Sequence, residues 1–159
     1  MKVVKAAQPP RGLLRWAFRF PIQLYRLRLG RLLGGRLLLL HHIGRVSGKP
    51  RRIVLEVVEH GGDGSYVVVS GFGPKADWYR NVLANPDVTV QVGGRTVAAT
   101  ARPVPKEEAA QIMVRYGSAH PRLARYLFPR LMGLEINGSE SDFREAGRHL
   151  PFVRFVPRG

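Results

Sequence analysis

Arg45, Lys49, Arg51 and Arg52 fall within one nine-residue stretch, Gly44-Arg45-Val46-Ser47-Gly48-Lys49-Pro50-Arg51-Arg52, which contains no acid. Guanidinium and ammonium groups gathered around exposed backbone N–H donors can cradle a phosphate or a carboxylate. The apolar runs Leu37-Leu38-Leu39-Leu40 and Ile53-Val54-Leu55 flank the stretch. Its glycines and proline therefore predict a turn between two strands, and glycine lets a ligand approach the backbone closely. A solvated basic hairpin is the competing reading of the same residues. A P-loop is excluded by spacing: three residues separate Gly44 from Gly48, Pro50 stands where a hydroxyl is needed, and a strand follows instead of a helix.

Other chemistry-bearing residues read as structural. Adjacent His41 and His42 on a strand point to opposite faces and have no third ligand at useful spacing, so no metal site is expected. Asp77 stands where it would cap a helix. Glu107-Glu108 is an acid pair at a helix start, where the helix dipole favours it. Trp78 in a short helix reads as core.

The balance of charge sets the partners. The 159-residue chain has 26 Lys+Arg against 11 Asp+Glu, a net charge of +15, and a pI near 11.4. Such a surface favours anionic partners: nucleic acid, anionic lipid or a polyanionic small molecule. The length fits a domain able to bury a core. The chain has no cysteine, which excludes disulfides, thiol catalysis and cysteine-ligated metal. No apolar run approaches the roughly 20 residues of a spanning helix. Arg15, Arg19, Arg26 and Arg28 interrupt every candidate signal-peptide core. The expected location is cytoplasmic.

The elements that position the basic turn follow from periodicity. Residues 11–33 have a helical pattern, with Arg11, Arg15, Arg19 and Arg26 on one face and a kink expected at Pro21. Such a basic amphipathic segment, within residues 1–35, can lie on the anionic inner face of a membrane. Strands are expected at 36–42, 52–60 and 66–70, the last two joined by Gly61-Gly62-Asp63-Gly64. A short helix is expected at 76–84, stopped by Asn85-Pro86, then a hairpin of 88–92 and 96–101 about Gly93-Gly94. Helices at 106–116, 123–131 and 140–146 and a final strand at 151–156 complete the pattern. The fold class expected is α+β, with residues 36–159 forming a mostly antiparallel barrel of about six strands.

The order of motifs resembles the deazaflavin (F420)-dependent nitroreductase family of actinobacteria. The resemblance rests on Gly-Arg-x-Ser-Gly-x-Pro-Arg at 44–51, Ser70-Gly71, and Asp77-Trp78-Tyr79-Arg80-Asn81-Val82-Leu83-Ala84-Asn85-Pro86, followed by a Val-x-Val strand and Gly93-Gly94. It covers residues 37–104 well and the closing strand more weakly. It implies a split β-barrel related to flavin-mononucleotide-binding proteins, and binding of coenzyme F420, a polyanion with a phosphodiester and a glutamate tail. The resemblance assigns the cofactor to Arg45, Val46, Ser47, Lys49 and Arg51 at the turn. It adds Arg52, Val54 and Val57 along the next strand, Val69, Ser70 and Gly71, and then Asp77, Trp78, Tyr79 and Asn81. Val46 departs from the family, where a second cation often follows the first arginine, and Lys49 supplies charge nearby.

A reduced deazaflavin donates hydride from its own ring, so the protein is expected to orient, exclude water and stabilise charge. Ser70 and Tyr126 are the candidate catalytic groups, in a supporting role, with Tyr79 and His120 as further proton donors. The acceptor expected is a quinone, a nitroaromatic or a similar conjugated compound, and the protein a monomer or homodimer. Two alternatives remain: a basic nucleic-acid- or membrane-binding protein without redox activity, and a split barrel holding FMN or haem. Against nucleic acid, no groove-reading helix or aromatic platform accompanies the cations.

Overall fold

The computed structural model describes residues 2–3, 37–71, 73–119, 134–135 and 140–158, the two short pieces by backbone alone. The helices expected at 11–33 and 123–131, with His120 and Tyr126, lie outside the described residues. Six strands close into an antiparallel barrel: β1 Leu37–Ile43, β2 Pro50–His60, β3 Tyr66–Val69, β4 Asp87–Val92, β5 Arg95–Pro103 and β6 Phe152–Pro157. Their order around the barrel is β1-β2-β3-β6-β5-β4, and β1 pairs with β4 to close it. Three α-helices accompany them among the described residues: α1 Asp77–Ala84, α2 Lys106–Ala119 and α3 Glu140–His149. The fold is the α+β split barrel expected from the order of motifs. Lys2–Val3 and Leu134–Glu135 form a separate antiparallel pair.

Alternation along each strand separates two cores. Leu38, Leu40, Leu55, Val57, Val90, Ala101, Val153 and Phe155 fill the barrel, and Trp78 and Val82 of α1 plug one end. Ala101 stands opposite Phe155 on the neighbouring strand; the small side chain makes room for the large one. A second core lies outside the barrel, where α2 and α3 cover Val58, Val67, Val69 and Phe152 with Ile112, Met113, Phe143 and Leu150. The pairing of β2 with β3 shifts between Val57 and Glu59. Val57 serves the inner core and Val58 the outer, as successive strand residues do, and Val58 is the extra residue that the bulge leaves without a partner in the ladder.

Three boundaries moved from expectation for physical reasons. β2 begins at Pro50, paired with Ile43, because a proline at the first position of a strand gives up no ladder bond. α2 and α3 run past 116 and 146 to Ala119 and His149. Gly117 and Gly147, which invite a stop in the sequence, serve instead as contact points. A Cβ at Gly117 would lie 2.5 Å from the Phe143 ring, and one at Gly147 would lie 2.6 Å from the Ala109 carbonyl oxygen.

Candidate functional site

The basic stretch is a tight turn between β1 and β2. Gly44 N–H donates to the Lys49 carbonyl (2.9 Å), and Gly48 N–H donates to the Gly44 carbonyl (2.9 Å). Gly48 has φ +69°, a conformation that costs a side-chain-bearing residue energy. Lys49 N–H also donates to Ser47 Oγ at 3.2 Å. A Cβ on Gly44 would sit 2.5 Å from Ser47 Oγ and 3.2 Å from Arg51 Nε. Glycine at 44 is therefore what allows Ser47 and Arg51 to fold over the backbone of the turn.

Elsewhere on the barrel and its helices, several arginines are held in ion pairs. Arg115 pairs with Glu59, Arg144 with Glu140, Arg148 with Glu107, Arg154 with Glu108 and Arg158 with Asp87. These pairs lie along α2, α3, β6 and the chain's end. Lys49, Arg51 and Arg52 are exposed, and among the described residues no acid pairs with them. Val46 at the tip is 93% exposed. The turn thus offers three exposed cations with no acid paired to them among the described residues, Arg51 on the His42 face of β2 and Arg52 on the His41 face, a set that fits an extended phosphate- or carboxylate-bearing ligand.

Arg45 is different. Its backbone N–H donates to Asn81 Oδ1 at 3.0 Å, and its Nη1 donates to the same oxygen at 2.8 Å. Its Nη2 lies 3.3 Å from Asp77 Oδ1. The Asn81 side-chain nitrogen lies 3.1 Å from His42 Nδ1. Both Asn81 and His42 are buried. Burial holds His42 below its ordinary range, down to about 4; Arg51 and His41 act in the same direction and Asp77 against it. His41 is lowered as well, by burial and by Arg52. The α1 helix thus grips the turn through Arg45. Asp77 does not cap α1 as expected: Ala76 holds the N-cap position without a side-chain bond, so the Asp77 carboxylate, one residue on, turns to Arg45.

The remaining sequence-selected residues are distributed over several environments. Ser70 is fully buried, and its hydroxyl donates to the Gly73 carbonyl at 2.6 Å. It staples the loop that carries Gly71 from β3 toward α1. Trp78 is 4% exposed and belongs to the barrel core, as its type predicts; Tyr79 meets it edge-on at 6.0 Å. Val57 is buried in the inner core and Val69 in the outer one, while Val54 is half-buried. Tyr79 also lines an open cavity of about 330 Å³, with Pro74, Val104, Lys106, His149 and Phe152 among its walls. The structure therefore brings Arg45, Asp77 and Asn81 together, sets Lys49, Arg51 and Arg52 beside them, and places Ser70 away from solvent.

Sequence reasoning passed over His42, weighing it only as a metal ligand. It also missed the Tyr116 hydroxyl, which donates to Glu56 across the outer core. The one available signal for His42 was its place two residues after Leu40 on the inward face of β1.

A six-stranded antiparallel barrel with a cationic turn gripped by a short helix defines the class of protein: an α+β split barrel. The profile of the F420H(2)-dependent quinone reductases matches residues 19–127, and the chain belongs to that family. Over 68 residues it is 38% identical to an F420H(2)-dependent quinone reductase of Mycobacterium tuberculosis strain H37Rv. That match takes in 42% of this chain and 46% of the relative, so the chain spans about half the length of the curated relatives it matches. Among solved structures, an F420-H2 dependent reductase (FDR-A) is 29% identical with a TM-score of 0.51, over 76% of this chain and 93% of that one. A haem storage protein of Vibrio cholerae, 18% identical with a TM-score of 0.52 over 87% of this chain and 89% of that one, shares the fold.

Proposed function

We propose that the chain binds reduced coenzyme F420, with the anionic part of the cofactor on the turn 44–52, and serves hydride transfer to a quinone, a nitroaromatic or a similar conjugated acceptor. The observation that carries this reading is the concentration of charge. Lys49, Arg51 and Arg52 lie within four residues, exposed and with no acid paired to them among the described residues. A cofactor with a phosphodiester and several carboxylates supplies the missing charge, and forked guanidinium groups suit both. Family membership favours coenzyme F420 over FMN as the ligand.

The cofactor, when bound, supplies the hydride from its reduced ring. The chain's own residues bind and orient. Ser47, Lys49, Arg51 and Arg52 hold the anionic part, with the backbone of Val46 beside them. Val54 and Gly71 line the groove, and Val57, Val69 and Trp78 support it from the two cores. Ser70 acts by fixing the loop after β3, its proton committed to the Gly73 carbonyl. The cavity beside Tyr79, walled by apolar Pro74, Val104 and Phe152 and by the polar Lys106, Arg148 and His149, is offered as the place for a flat acceptor, near the smallest size typical of small-molecule sites. Tyr126 is proposed as a proton donor to the reduced acceptor, a role that Tyr126→Phe tests by its effect on turnover.

Titrating the purified protein with oxidised coenzyme F420 and following its fluorescence tests the assignment. Saturable quenching that weakens in Arg51→Ala/Arg52→Ala supports it; no binding by folded protein at micromolar concentration rejects it. Oxidation of the reduced cofactor by menaquinone analogues is the next measurement. No helix among the described residues is long and apolar enough to cross a membrane. Contact of the basic segment 1–35 with anionic lipid is proposed on charge alone; undiminished liposome binding after its deletion would rule it out.

A further inference from the structure

We propose that Arg45 is a latch and not an anion contact: through Asn81 and a neutral His42 it fixes the turn against α1, leaving Lys49, Arg51 and Arg52 to meet the ligand's charge. The ligand is that of the preceding reading, on which this clause rests; the latch is a property of the chain by itself.

The donor and acceptor inventory determines the arrangement. Arginine has only donors. Because Arg45 donates twice to one atom of the Asn81 side chain, from its backbone N–H at 3.0 Å and from Nη1 at 2.8 Å, that atom is the oxygen. The amide nitrogen must then face His42 Nδ1, at 3.1 Å. An amide NH2 can only donate, so Nδ1 accepts, and the ring is neutral with its proton on Nε2. Protonating Nδ1 would set two donors against each other in a buried contact. The charged neighbours agree. Arg51 stands opposite His42 on β2, Arg52 lies one residue further, and His41 adjoins it on β1. Arg45 lies on the turn, and only Asp77 of α1 would favour a cation there, an acid already engaged by Arg45. Arg45 has two guanidinium nitrogens in use and a side chain 24% exposed, whereas Lys49, Arg51 and Arg52 project from the turn.

Two-bond proton–nitrogen spectra of the 15N-labelled protein, without added cofactor, report the histidine tautomers. The latch predicts that His42 carries its proton on Nε2 and stays neutral down to about pH 5. Asn81→Asp places a carboxylate oxygen opposite Nδ1, so that nitrogen should gain a proton and hold it to markedly higher pH. A residue that only filled space would not move this signature. The second arm titrates coenzyme F420 over a range of salt. Arg51→Ala and Arg52→Ala should each weaken binding roughly tenfold and flatten its salt dependence. Arg45→Ala should weaken it with the wild-type salt dependence, and adding Asn81→Ala should cost nothing more. Arg45→Lys keeps the charge but cannot bridge Asn81 and Asp77 together. The latch predicts that it binds as weakly as Arg45→Ala, and recovery of wild-type affinity would overturn it. A wild-type His42 protonated at Nδ1 would overturn it equally. Should the wild type fail to bind F420, the cofactor reading falls, and the latch stands or falls on the tautomer.

Discussion

Acidification should loosen this protein through His42 in a defined window. The ring is neutral in the folded chain down to about pH 4, against an ordinary value of 6.5, because of burial first and Arg51 second. Between those values the unfolded chain binds a proton at this position that the folded chain refuses. Stability therefore rises with pH across the window, is fully present above about pH 6.5, and is lost as pH falls toward 4. At ~1.4 kcal/mol per unit, the ceiling is about 3 kcal/mol. His42 sits at the barrel mouth beside exposed cations whose fields water screens, which reduces the expected loss to ~2 kcal/mol. The assay is urea unfolding at about pH 7, 5.5 and 4, at constant ionic strength, for the wild type and His42→Gln. Glutamine can still accept from the Asn81 nitrogen through its carbonyl oxygen, but it does not titrate. His41 and the general repulsion of a +15 chain act on both proteins and cancel. The wild type should lose ~2 kcal/mol more than the variant between about pH 6.5 and 4. Parallel curves for the two proteins would refute the neutral, buried histidine and with it the orientation of Asn81.

Three further expectations concern packing and the turn. Gly147→Ala should cost ~3 kcal/mol or more in urea unfolding, since its Cβ would meet the α2 backbone at Ala109 and Ala110, which cannot swing aside as a side chain can. Tyr116→Phe removes the hydroxyl that donates to half-buried Glu56 and should cost about 1–2 kcal/mol, with a far smaller loss in a Tyr116→Phe/Glu56→Gln double variant than the two single losses added. Gly44→Ala should displace Ser47 and the Arg51 side chain, weakening F420 binding about tenfold while changing global stability by ~1 kcal/mol; binding at wild-type strength would show that the cradle lies elsewhere.

The barrel was legible because its signals are local. Alternation at β4 and β5 and the paired glycines between them specify a hairpin from neighbours in sequence, and so do Gly61 to Gly64 between β2 and β3. Even the ends of α2 and α3 were misjudged only where a glycine's meaning depends on what packs against it. Gly117 breaks nothing because Phe143, on another helix, occupies the space that a side chain would need.

The site was legible in composition and not in assignment. The chain has no acid before Glu56, so the basic turn had to look outside its own segment for a counter-charge, and that much the sequence told. Which cation would remain available was decided 36 residues away, where Asn81 meets Arg45. Four cations in one turn are alike in a string of letters. In the folded chain Arg45 turns its fork to α1, while Lys49, Arg51 and Arg52 are exposed with no acid paired to them among the described residues. Ser70 has the same lesson in reverse. A hydroxyl beside a glycine at a strand end reads as a group that could serve a substrate, yet it donates its hydrogen bond to the Gly73 carbonyl three residues on, and what the residue contributes is the shape of the loop. Residue type restricts which chemistry is available, and the partner supplied by the fold decides whether a given side chain performs it or positions another that does.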